Sequence, residues 1–179
     1  MINMKIQIRY NVFETNSSST HAVSIFKGTN YSIPENIEIR PGEFGWGYDT
    51  FHDPESKLSY LYTWILRRCY TYKYNEATNK VDSIVDWDKL TEYQRRIKSK
   101  LLEAGVKNVT FERNDSYYEN GYIDHSENLI DTCLETILEE YFLDFVFNER
   151  SYIETGNDND EDASASEACD ADYSFYKGN

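Results

Sequence analysis

The chain is predicted to adopt an α+β fold in which an N-terminal β-hairpin extends from a mixed or antiparallel sheet packed with about three helices. Three observations carry this. Apolar residues alternate at period two in Met4-Lys5-Ile6-Gln7-Ile8-Arg9-Tyr10 and again in His21-Ala22-Val23-Ser24-Ile25-Phe26, as in half-buried strands. Three later segments carry apolar stripes at i, i+3, i+4 spacing behind capping residues. Strands and helices follow no strict βαβ repeat, which separates the chain from doubly wound folds.

Residues 4–13 and 20–27 are the expected arms of the hairpin. Between them the small polar run from Thr15 to Thr20 is expected to form an exposed tip. Lys27-Gly28-Thr29-Asn30 reads as a turn and Ile37-Glu38-Ile39-Arg40 as a third strand. Pro41 to Tyr48 interleaves three glycines with aromatics and reads as an ordered loop; it lacks the lysine of a nucleotide-binding loop. Asp53-Pro54 starts a helix, with an acceptor at the N-cap and proline at the first position. Leu58, Leu61, Tyr62, Ile65, Leu66 and Cys69 form its single apolar stripe, and it ends near Tyr70. Residues 71–86 are polar and tyrosine-rich and read as a loop. A second helix runs from Trp87 or Thr91 to Ala104, with Gly105 after its end and with Arg95, Arg96, Lys98 and Lys100 on its outer side. Val106–Glu112 and Tyr122-Ile123 alternate as strands. Ser126 caps a third helix, whose end from Phe142 to Phe147 is apolar nearly all round and is expected to be the most buried. Ser151–Glu154 reads as the last strand.

Composition bounds the rest. The 179 residues fit one domain, assigned to 1–155 with the hairpin at 4–27, followed by an acidic, flexible tail at 156–179. The chain holds 32 acidic and 18 basic residues, a net of −14. Eight of the acids lie between Glu154 and Asp172, where there is no base, leaving 24 acids against 18 bases elsewhere. Such a balance disfavours unaided nucleic-acid binding, which needs clustered Lys and Arg, and favours a basic partner that itself grips nucleic acid. No apolar run is long enough to span a bilayer and no secretory signal pattern opens the chain, so no membrane partner and a cytoplasmic location are expected. Cys69, Cys133 and Cys169 are widely spaced, and the first two read as reduced core residues. His21, His52 and His125 show no metal-ligand spacing, so neither a metal site nor a small-molecule cofactor is expected.

Chemistry concentrates at the tip. His21 has the side chain best placed by its ordinary pKa for general acid–base work. Glu14 could partner it across the hairpin, and Arg9 could stabilise charge on a phosphate, a set sufficient for metal-free RNA cleavage. The hydroxyls could instead bind phosphate, and the bland alternative is a Ser/Thr/Asn turn that bonds its own backbone.

The stretch Arg9-Tyr10-Asn11-Val12-Phe13-Glu14-Thr15-Asn16-Ser17-Ser18-Ser19-Thr20-His21, together with Gly42-Glu43-Phe44-Gly45-Trp46, resembles small acidic proteins of phages and mobile elements of Gram-positive bacteria. Size, acidity and the N-terminal hairpin make the chain similar to type II anti-CRISPR proteins that act on the guide RNA. The resemblance implies an inhibitor that shortens the single-guide RNA when the CRISPR effector nuclease is present, with effector and guide as its partners. It implies further that Lys5 to Phe26 is the active element. His21 would be the general acid/base, Glu14 its partner and Arg9 the phosphate contact. Lys5, Asn16, Ser17, Ser18, Ser19 and Thr20 would contact the RNA or the effector. The alternative is an acidic binder that blocks the effector's nucleic-acid groove without chemistry.

Overall fold

The computed structural model describes residues 19–45, 47–112, 121–124, 131–157 and 165–177. They form an α+β structure of mostly antiparallel sheets around a central helix. The main sheet has four strands in the order β10-β1-β9-β4, with β1 Ser19–Ile25, β4 Asp49–Phe51, β9 Tyr152–Asn157 and β10 Tyr173–Lys177, each pair antiparallel. Two short parallel pairs flank it: β2 Asn36–Ile39 with β7 Asn108–Phe111, and β3 Glu43–Phe44 with β8 Tyr122–Ile123. A separate antiparallel ribbon is made by β5 Tyr70–Asn75 and β6 Lys80–Val85.

Helix α1, Pro54–Cys69, starts where expected: Asp53 Oδ1 accepts the Ser56 backbone N–H at 2.7 Å, and proline follows at the first position. Its environment is not the expected single stripe. Lys57, Tyr60, Thr63 and Trp64 are buried along with the stripe residues, so α1 rather than the Phe142–Phe147 segment is enclosed on nearly every side. The reason is the apolar bodies of its aromatics. Tyr60 packs edge-on to Phe44 at 5.0 Å and Trp64 lies 5.6 Å from Phe175 of β10, while Tyr62 on another side lies 5.3 Å from Phe111 of β7.

Helix α2, Trp87–Ala104, is capped by Asp86, whose Oδ1 accepts the Lys89 N–H at 3.0 Å. It ends at Gly105 with φ 111°, where the Gly105 and Val106 N–H groups bond back to the Leu102 and Leu101 carbonyls. This is the Schellman arrangement that favours glycine. The third helical region comprises α3, Asp131–Thr136, a π-helical turn over Ile137–Tyr141, and α4, Phe142–Phe147. Its expected cap, Ser126, lies outside the described residues.

Two expectations are corrected. Residues 71–86 are not a loop. Thr71, Tyr72 and Tyr74 face Ile84, Ser83 and Val81 across a ladder, and the turn is held by Asn75 Oδ1, which accepts the Ala77 and Thr78 N–H groups at 3.1 and 3.3 Å. The C-terminal segment is not a loose tail over 165–177. Strand β10 pairs with β1 from His21↔Lys177 to Ile25↔Tyr173, because Tyr173 and Phe175 alternate inward against Tyr141 and Trp64.

The main sheet also changes the reading of the hairpin. Its first arm, residues 4–13, and its tip as far as Ser18 lie outside the described residues. Its second arm is β1, the second strand in from the edge of the sheet. From His21 to Ser24 β1 is paired with β10 on one side and β9 on the other, which occupies both ladder edges.

Candidate functional site

Alternation along β1 sends Ser19, His21, Val23 and Ile25 to one face and Thr20, Ala22 and Ser24 to the other. The first set faces the core under α1, where the His21 ring lies 6.0 Å from Tyr60. Ser19 and His21 are two residues apart and meet there: Ser19 Oγ is 3.0 Å from His21 Nε2. Both converge on one acceptor, the Asp124 carbonyl just after β8, at 2.9 Å from Ser19 Oγ and 3.0 Å from Nε2. Asp124 is itself fixed by its N–H, which donates to the Phe44 carbonyl at 2.8 Å.

This geometry decides what the pair can do. A carbonyl oxygen only accepts, so the nitrogen of His21 that faces it carries a proton. Ser19 donates its own proton to the same oxygen. His21 Nε2 therefore has no lone pair with which to deprotonate Ser19, although their separation matches a nucleophile–base pair. Both side chains have 0% exposure, so the contact is a polar clamp between β1 and the end of β8.

The expectation of an exposed tip is thus corrected for the three described residues. Ser19, Thr20 and His21 are all fully buried, because the sheet closes around β1 on both faces as well as both edges. On the outer face Thr20 Oγ1 accepts the Ala165 N–H at 2.8 Å and Ser24 Oγ accepts the Ala168 N–H at 2.9 Å. Glu154 of β9, in register with Ala22, takes the Ser166 N–H and Oγ at 3.3 Å each. Residues 165–168 are in this way strapped across the sheet by three side chains. Lys5, Arg9, Glu14, Asn16, Ser17 and Ser18 lie outside the described residues.

Other features were not singled out by pattern. Tyr60 Oη and Trp64 Nε1, near the clamp, are buried and have no hydrogen-bond partner among the described residues. Burial pushes the Tyr60 hydroxyl well above its ordinary pKa. Lys57 is fully buried near the start of α1 and donates to the Asn148 and Ser151 carbonyls at 2.9 and 3.0 Å. Desolvation lowers its pKa to about 8, against the opposing pull of Asp53 and Glu149. The sequence carries little signal for this lysine, which sits among Glu55, Ser56 and Ser59 in the first turns of the helix.

The two arginines of the basic patch on α2 are neutralised within the fold. Arg95 is bidentate to Glu92, and Arg96 bridges to Glu135 and Glu139 at 2.7 and 2.5 Å. Among the described residues no group of three or more His, Cys, Asp or Glu side chains is arranged to hold a metal ion. None of their helices is long and apolar enough to cross a membrane. Comparison with family models, with curated proteins and with solved structures returns no match for this chain.

Proposed function

We propose that the protein is a non-enzymatic acidic inhibitor that occupies the basic nucleic-acid groove of a type II CRISPR effector. The effector comes from the resemblance of the N-terminal motif. The choice of binding over guide-RNA truncation rests on one observation: His21, the best candidate base, is buried, with Nε2 committed to the Asp124 carbonyl. Acid–base catalysis on RNA needs a ring nitrogen within hydrogen-bond reach of the 2′-hydroxyl, and the whole His21 ring has no exposure to solvent. A net charge of −14, with the α2 arginines already paired, suits a surface that competes with phosphate for Lys and Arg on a partner.

The test combines effector, labelled guide RNA and target DNA with increasing inhibitor. The expected result is loss of DNA cleavage at a one-to-one ratio, with full-length guide on the gel and inhibition that weakens as salt rises. A shortened guide would overturn the binding mechanism. Undiminished DNA cleavage at saturating inhibitor would overturn the effector assignment.

A further inference from the structure

A cavity of about 610 Å3 opens between the approach to β2, the start of α1 and the end of α4. Its walls and floor include Pro34, Ile37, Pro54, Leu58 and Phe147. Glu38, Asp53, Glu55 and Glu149 also line it, and among the described residues no Lys or Arg does. Two cations border it from outside: Arg40 is bonded to Glu38 at 2.6 Å, and Lys57 is held by the Asn148 and Ser151 carbonyls. The carboxylates still outnumber these cations by four to two. Asp53 Oδ1 is engaged by the Ser56 N–H; the Glu55 and Glu149 carboxylates are exposed and make no hydrogen bond or close ion pair with a described residue, and feel only the fields of Arg40 and Lys57 respectively. At the rim His52 Nδ1 meets the Glu149 carbonyl at 3.1 Å, and its ring lies 5.4 Å from Tyr152.

We infer that this cavity receives an arginine side chain, with its flanking residues, from a basic protein partner; the identity of that partner as an effector rests on the proposed function above. The cavity is complementary to such a side chain in shape and charge. A cavity this large with an apolar floor can bury an aliphatic stem and the backbone beside it, and separate carboxylates can share the donors of one planar guanidinium. Guanidinium is also less strongly hydrated than ammonium, so it loses less on leaving water for such a site. A lysine head group would use the same carboxylates only as a point charge.

The probe is a short glycine–arginine peptide, titrated into the full chain while the methyl resonances of Ile37 and Leu58 are followed by NMR. The same peptide with citrulline in place of arginine keeps the shape and removes the charge. The arginine peptide is expected to shift both methyls saturably, and the citrulline peptide to leave them unmoved. A Glu55→Gln/Glu149→Gln double variant is expected to bind about tenfold more weakly or worse, since two charge-assisted contacts are lost. A Glu140→Gln/Glu167→Gln variant, with the same change in net charge away from the cavity, should bind within about twofold of the wild type. Methyls unmoved by the arginine peptide, or equal weakening in both double variants, would overturn the inference. The titration contains no effector, so a failed inhibition assay does not bear on it, and its own failure leaves the inhibitory reading to its separate test.

Discussion

Lys57 gives the sharpest energetic test of the fold. Its ammonium is fully buried and bonds only to the two carbonyls of the turn between α4 and β9 among the described residues. Its folded pKa is about 8, against an ordinary value of 10.5. A base with a lowered folded pKa releases its proton more readily in the native state. Between pH 8 and 10.5 the unfolded chain therefore holds the proton that the folded chain has lost, and stability rises with pH across that window. The contribution is fully present above pH 10.5 and is lost as pH falls through 8. With these two values the linkage relation gives a gain of about 2 kcal/mol between pH 7 and 9.5.

The assay is urea denaturation of the wild type and of Lys57→Met at pH 7, 8, 9 and 9.5, followed by tryptophan fluorescence. Methionine keeps the unbranched apolar stem and cannot titrate. Other groups titrate equally in both proteins, so the difference between them isolates Lys57. The wild type is expected to gain about 2 kcal/mol on the variant over this range. A difference that stays flat with pH would refute the reading of a desolvated ammonium, whatever the variant's absolute stability.

Four further outcomes are expected. Substituting His21→Ala should cost about 3 kcal/mol in urea denaturation, from the cavity left in the core and the bond lost at the Asp124 carbonyl. Replacing Thr20 by valine should cost about 1 kcal/mol and should speed proteolysis between residues 165 and 172, because one of three anchors of the strap is gone. Gly121 has φ 67° and a Cβ there would collide with the Gly42 carbonyl, so Gly121→Ala should lower stability by about 2 kcal/mol or more and disturb the β3–β8 pair, seen as lost amide protection. Substituting Arg96→Met should cost about 1 kcal/mol at low salt and less at high salt, since Glu135 and Glu139 are partly exposed.

How legible the molecule was depended on how local the cause was. The start of α1 at Asp53-Pro54 and the end of α2 at Gly105 were readable because a cap is made by residues a few positions apart. The β5–β6 ribbon was hidden by its composition: Tyr70, Tyr72 and Tyr74 do alternate along β5, but tyrosines set among Thr, Lys and Asn read as a polar stretch rather than as one apolar face. Strand β10 was hidden by distance and by neighbours. Its partner β1 lies about 150 residues earlier, and the acidic run before it suggested a segment without structure. At the site, the approach of Ser19 to His21 was implicit in their spacing of two. The acceptor that joins them, the Asp124 carbonyl, is a backbone group 103 residues from His21 and carries no sequence signal at all.

That difference bears on what the N-terminal motif means. Ser19, Thr20 and His21 attract attention as reactive groups, yet each is used by the fold: two clamp the end of β8, and one anchors the strap. A strand with both edges paired and both faces covered cannot meet RNA or a protein partner unless part of the sheet opens. Opening β10 and its strap would break the ladder from His21 to Ile25 and three side-chain anchors, a cost that binding energy would have to meet before any contact was made. The pattern of residues at these positions is then as well explained by the need to close this sheet as by chemistry. Function is better sought where charge and an apolar surface are already open to solvent, and the cavity beside Glu55 and Glu149 meets that condition without any rearrangement.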